Sequence, residues 1–145
     1  MELIQKVFLL KNVDLLAGAR SEQLARVAAI ADVVEAEPGT RLLRRGEPPD
    51  ALYVVVEGDV ELRRDEARLK VASDGTPFGT WALVDDRPSV VEATVLGDGA
   101  TLLRVSRWEF HDLLDDSPEL ALGILQGLSS RIRGLVEASE AWEGA

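Results

Sequence analysis

The sequence predicts a mainly β, α+β fold: an antiparallel jelly-roll barrel over residues 32–105, N-terminal helices within 1–31 and a C-terminal helix pair within 106–138. Three observations lead there. From 32 to 105 the apolar runs are short, β-branched and separated by Gly, Pro and Asp turn signals, the pattern of many short strands. On either side of that region apolar residues recur every three or four positions, as one face of a helix does. No helical segment falls between the strands, whereas parallel strands need crossovers of about a dozen residues or more. A length of 145 residues with 46% apolar content fits one domain spanning residues 1–145 around one core.

The elements follow in order. Val7-Phe8-Leu9-Leu10 and Val13-Asp14-Leu15-Leu16 predict a short helix or packed arm. Ser21 is the expected N-cap of a helix with Glu22 in its first turn and Leu24, Val27, Ala28 and Ala31 on one face. Strands are expected at Val33-Val34, Leu42-Leu43, Leu52 to Val56, Val60 to Leu62, Leu69 to Val71, Val90 to Val95 and Leu102 to Val105. Turns between them centre on Gly39, Gly46, Gly58, Gly75 and the pair Gly97 and Gly99. Ser106-Arg107-Trp108-Glu109 reads as a capping box. Ser117-Pro118 then starts a second helix, with Pro at its first position. Leu120, Ile124, Leu128, Ile132 and Leu135 give that helix a continuous apolar stripe, and Ser139 to Ala145 is expected to fray.

Composition removes several functions. The chain has no cysteine, which excludes disulfide frameworks, thiolate catalysis, iron–sulfur clusters and Cys-ligated zinc, and fits a reducing cytoplasm. No run approaches the ~18 apolar residues of a membrane span, and Met1 to Lys6 lacks the pattern of a signal peptide. A net charge of −10 opposes a nucleic-acid surface, leaving only a local strip of Arg41, Arg44, Arg45, Arg63, Arg64 and Arg68. His111 is the only histidine, too few for a His-ligated metal centre. Asp85-Asp86 and Asp115-Asp116 are neighbours in sequence and do not make an acid–base pair across a bond. No Ser-His-Asp arrangement and no Gly-rich nucleotide loop is present, so a non-enzymatic protein without metal or fixed cofactor is expected.

One segment carries the functional expectation. Phe78-Gly79-Thr80-Trp81-Ala82-Leu83, followed by Arg87-Pro88 and Ser89-Val90-Val91, reads as a phosphate-binding turn from which the charges have been removed. A Gly and a short helical turn can present backbone N–H groups to an anion, but no acid or base flanks them. Arg87 is the only base in the segment; the favoured reading of Asp85-Asp86-Arg87-Pro88 is a solvated turn with local charge pairing, and the alternative is that Arg87 swings toward the pocket to supply the missing base. Trp81 is expected to pack in the core, with filling part of the pocket or stacking on a flat ligand as the other readings.

The element order and the glycines resemble the cyclic-nucleotide-binding domain family, whose members include the sensor half of catabolite-activator-type regulators and regulatory domains of some kinases and channels. The resemblance covers roughly residues 8–137. Its specific part is Pro38-Gly39-Thr40, Gly46-Glu47, and Asp50-x-Leu52-Tyr53-x-Val55-x-Glu57-Gly58-x-Val60, with Gly75, Phe78-Gly79 and Ala82-Leu83 at the phosphate cassette. It implies a cyclic AMP or cyclic GMP site built on Phe78, Gly79, Thr80, Trp81, Ala82, Leu83, Arg87, Ser89, Val90 and Val91. In the family a Glu after Phe-Gly holds the ribose hydroxyl and a later Arg pairs with the phosphate. The Glu position here is Thr80. The Arg position falls on Val91 reading back from Ala93, or on Ser89 or Val90 reading forward from Phe78.

The sequence therefore predicts a regulatory module in which cyclic nucleotide binding is weakened or lost, since one missing charge-assisted pair alone costs roughly 1.5–3 kcal/mol. Two alternatives stand beside it. One is a protein-interaction or docking domain of a larger protein, with Val7 to Lys11 as the join to an upstream part. The other is the sensor half of a transcription regulator, against which stands the lack of a helix-turn-helix after residue 138. The stripe from Leu120 to Leu135 is the candidate homodimer contact.

Overall fold

The computed structural model describes residues 1–139. Three helical pieces come first: α1 (Leu3–Leu10), a 3-10 turn (Asp14–Leu16) and α2 (Ser21–Ile30). Eight strands follow: β1 (Asp32–Ala36), β2 (Arg41–Leu43), β3 (Ala51–Glu57), β4 (Val60–Arg64), β5 (Ala67–Ala72), β6 (Pro77–Phe78), β7 (Glu92–Val95) and β8 (Ala100–Ser106). A second 3-10 turn (Thr80–Leu83) lies between β6 and β7, and α3 (Arg107–Asp116) and α4 (Pro118–Glu137) end the described chain.

All the pairings are antiparallel, as expected where no crossover helix is present. The strands form two four-stranded sheets, ordered β1-β8-β3-β6 and β2-β7-β4-β5, so the jelly roll is a pair of sheets and not a closed barrel. β3 explains why its sequence is a continuous apolar run. Ala51, Tyr53 and Val55 enter a core shared with Val60, Leu62, Ala93 and Val95 of the other sheet. Leu52 and Val54, on the opposite face, enter a second core with Leu16, Val27, Phe110 and Leu120 of the helical pieces. Period-two alternation thus buries both faces of one strand.

Several boundaries differ from the sequence reading. Ser21 is the first residue of α2 and not its cap; Arg20 takes the cap position, and its N–H is satisfied by Gln23 Oε1 at 3.1 Å. Ser106 caps α3 by accepting from the Glu109 backbone N–H at 3.2 Å, but the reciprocal bond from the Glu109 side chain is not formed among the described residues. The strand expected at Val90–Val95 begins only at Glu92. The Ser89 hydroxyl donates to Val91 O at 2.8 Å and accepts from Val91 N at 3.2 Å, which withdraws Val91 from the ladder.

α4 is held against the N-terminal part at a glycine contact. A Cβ placed on Gly18 would lie 2.1 Å from Gly123 O and 2.7 Å from Gly127 N, so the two backbones meet where only glycine fits. Arg131 Nη1 reaches Asp14 Oδ2 at 2.6 Å at the next turn. Along the predicted stripe, Leu120 and Ile124 are buried and Leu128 packs partly on the helical core. Ile132 and Leu135 do not; they are 59% and 67% exposed, so the stripe leaves the core after Leu128. The expectation of a frayed tail falls, beyond Ser139, outside the described residues.

Candidate functional site

The segment after β6 is fixed at both ends. Phe78 is buried in the inter-sheet core, its ring stacked on Tyr53 with centroids 5.3 Å apart and planes 17° apart. Gly79 caps the 3-10 turn with φ 74°, where a Cβ would stand 2.9 Å from Ala51 O. Ala82 N then bonds Gly79 O at 3.0 Å. Leu83 is fully buried in the other core, among the helices. This short stretch of chain therefore ties the inter-sheet core to the helical core.

A cavity of about 470 Å³ opens beside this turn. Of the residues singled out in the sequence, Phe78, Gly79, Trp81, Arg87, Ser89, Val90 and Val91 line it; Trp81 is largely exposed and is not the core residue expected of it. Thr80, Ala82 and Leu83 are not in its wall. Leu43 and Leu62 of the second sheet, with Pro49 and Asp85, complete the lining and were missed in the sequence. Leu43 and Leu62 carry the same inward alternation as core residues, so the pattern does not separate lining from core.

The electrostatics are sparse. The Arg87 guanidinium makes no hydrogen bond or ion pair among the described residues, and the charge pairing expected within Asp85-Asp86-Arg87 is not formed. Instead Asp85 Oδ1 accepts from the Arg87 backbone N–H at 3.1 Å. The basic strip elsewhere is largely neutralised: Arg41 pairs with Glu92 at 3.9 Å, Arg45 with Asp65, and Arg63 and Arg68 with Glu61. The hydrogen bond from Arg68 holds the Glu61 carboxyl below the usual carboxylate range, aided by the charges of Arg68 and Arg63 and opposed by burial.

The pattern of the cyclic nucleotide-binding domain family matches residues 33–117, from β1 to the start of α4. The chain belongs to this family. The cyclic nucleotide-binding domain here is 30% identical over 107 residues to the cAMP-dependent protein kinase regulatory subunit of Aspergillus fumigatus, covering 72% of the chain but only 26% of that relative. It is similar to the N-terminal domain of a transcriptional regulator from Streptomyces coelicolor A3(2), with a TM-score of 0.77, 30% identity, and coverage of 94% of this chain and 98% of that one. The sensor domain of the transcriptional regulator DNR from Pseudomonas aeruginosa matches with a TM-score of 0.66 and 26% identity over 98% of each chain. By these relationships it is a regulatory domain, homologous to kinase regulatory subunits and to transcription-regulator sensor domains.

Within this cyclic nucleotide-binding domain the cassette turn is joined directly to α3. Arg107 Nη1 donates to Asp85 O at 2.6 Å. His111 Nε2 lies 2.9 Å from Leu83 O; a carbonyl only accepts, so this nitrogen carries the proton. Arg107 and His111 stand one turn apart on α3 and hold two carbonyls at the end of the cassette turn. His111 thus has a bonding role that the sequence did not indicate.

A larger hollow of about 980 Å³ lies where the β3–β4 and β7–β8 turns meet. Glu35, Glu37, Glu57, Asp59, Asp74 and Asp98 line it with no basic residue, so it repels phosphate. Among the described residues no group of His, Cys, Asp and Glu is arranged to hold a metal ion, and no helix is long and apolar enough to cross a membrane.

Proposed function

We propose that the domain is a non-enzymatic ligand-responsive regulator whose cassette keeps the family's backbone turn but has weak or no affinity for cyclic AMP and cyclic GMP. One observation carries the reading. Ser89, Val90 and Val91 all line the cavity, so every register that the family resemblance allows for the phosphate-binding Arg ends on an uncharged side chain. Of these only Ser89 can hydrogen-bond, and its hydroxyl is already engaged in both directions by Val91. The one cation in the wall, Arg87, lies outside those registers, so a phosphate seated at the family's position lacks its charge-assisted partner. Thr80 offers no carboxylate to a ribose hydroxyl.

In this reading residues 1–145 act as one unit, in the cytoplasm. The change on ligand binding passes from the cassette turn through Arg107 and His111 into α3 and α4. The exposed end of α4, with Leu125, Ile132 and Leu135, meets a second copy of the chain or another domain of the parent protein. The near-complete coverage of an N-terminal transcription-regulator domain favours, as the second reading, the sensor half of such a regulator.

Titration calorimetry with cyclic AMP and cyclic GMP, on the parent and on Arg87→Ala, tests the first claim. No heat at micromolar protein with either nucleotide is expected. Micromolar binding that Arg87→Ala abolishes would refute it and make Arg87 the phosphate partner.

A further inference from the structure

The cavity's own wall narrows what it binds, on the condition that it is the regulatory ligand site described above. We propose that it takes a flat, apolar ligand bearing a single negative charge and no sugar hydroxyls, with its acid group on Arg87. The body of such a ligand would meet Leu43, Leu62, Phe78 and Val91, which offer no hydrogen bond from their side chains. Ser89 adds no donor, because its one O–H is given to Val91 O. A ribose or a polar ring edge set against those four apolar side chains would lose its water without replacement.

Trp81 adds a large apolar surface to the same wall while 68% exposed, and Val90, also in the wall, is 58% exposed. An indole left that open gains most from covering by another flat group. The charge preference follows from two neighbours. Arg87 lines the cavity with its guanidinium unpaired among the described residues, so an acid group there gains a charge-assisted partner without displacing another of them. Asp85 lines it too, and its carboxylate, bonded to the Arg87 backbone N–H, repels a second negative charge. One charge is favoured and two are not.

The test compares two dyes of nearly the same body on the full chain: anilinonaphthalenesulfonate, an apolar monoanion, and N-phenylnaphthylamine, its uncharged counterpart. Emission is followed during titration of the parent, Arg87→Gln, Trp81→Ala and Leu62→Trp, each first checked by circular dichroism. The sulfonate is expected to bind one per chain and more tightly than the neutral dye. Arg87→Gln should weaken the sulfonate about tenfold and leave the neutral dye unchanged, whereas Trp81→Ala should weaken both. Leu62→Trp, which fills the floor, should abolish both; undiminished binding there would place the dyes elsewhere and overturn the proposal. Equal affinity of the two dyes, with no effect of Arg87→Gln, would overturn the anion preference alone. If neither dye binds the parent, the cavity is not a ligand site and the regulatory reading beneath this one falls as well. Displacement of the sulfonate by micromolar cyclic AMP would contradict the lost cyclic nucleotide site and this proposal together.

Discussion

Replacing Gly79 by Ala tests whether the cassette turn is held as described. Gly79 sits at φ 74°, and an added Cβ would stand 2.9 Å from Ala51 O and 3.5 Å from Leu43 Cδ2. A non-glycine residue in the left-handed region costs about 1–2 kcal/mol. The crowded backbone oxygen adds about 1 kcal/mol of overpacking, while the stiffer unfolded chain returns about 0.4–1 kcal/mol. The net loss is about 1–2.5 kcal/mol. It lowers the urea midpoint by about 0.5–1.2 M at a slope near 2 kcal/mol/M and the melting midpoint by about 3–8 °C. Gly97→Ala is the matched control, because Gly97 has φ 62° but a Cβ added there would meet nothing within 4 Å. Its loss should be about 0–1.5 kcal/mol, the backbone cost without the clash. Equal shifts in the two variants would refute the close approach of the turn to Ala51, and no shift in Gly79→Ala would refute the left-handed cap itself.

Three further outcomes follow from the same packing. Leu83→Ala, at a fully buried position in the helical core, should cost about 2–5 kcal/mol in urea unfolding; a loss under about 1 kcal/mol would deny that the cassette is anchored there. Because the Glu61 carboxyl is held low in the folded state, its stabilisation is present above the ordinary carboxylate range and disappears as pH falls through the folded value. Glu61→Gln should therefore be less stable than the parent near neutral pH and converge with it in acid; a gap independent of pH would contradict this. Ile132→Asp alters an exposed position and should leave the melting midpoint of the monomer unchanged. It should shift a dimer to monomer in light scattering if α4 pairs with a second copy, and a monomeric parent would remove that contact. Leu128 is the poorer position for this test, since it packs on the core.

The architecture was legible where local chemistry and tertiary demand coincide. Leu52 to Val56 reads as a strand in the sequence, and the structure shows why its apolar run is unbroken: each face meets a separate core. Gly39, Gly58 and Gly75 mark reversals that require positive φ, which the structure shows at all three. The site was legible only in part. Phe78 and Gly79 announce the turn, but Leu43 and Leu62, which floor the cavity, read as ordinary strand interior. Val90 and Val91 looked like strand by β-branching, and the Ser89 hydroxyl overrode that preference. The Gly18–Gly123–Gly127 contact and the bonds from Arg107 and His111 to the cassette join residues far apart in sequence, and no local pattern encodes them.

The central claim is a retained cassette that no longer recognises a cyclic nucleotide. Amide chemical shifts of the labelled chain, followed as cyclic AMP is raised to millimolar concentration, test it residue by residue. The account predicts no saturation from Phe78 to Val91 below millimolar nucleotide, with the turn itself ordered throughout. Saturation at micromolar nucleotide, centred on Thr80, Arg87 and Val91, would contradict it.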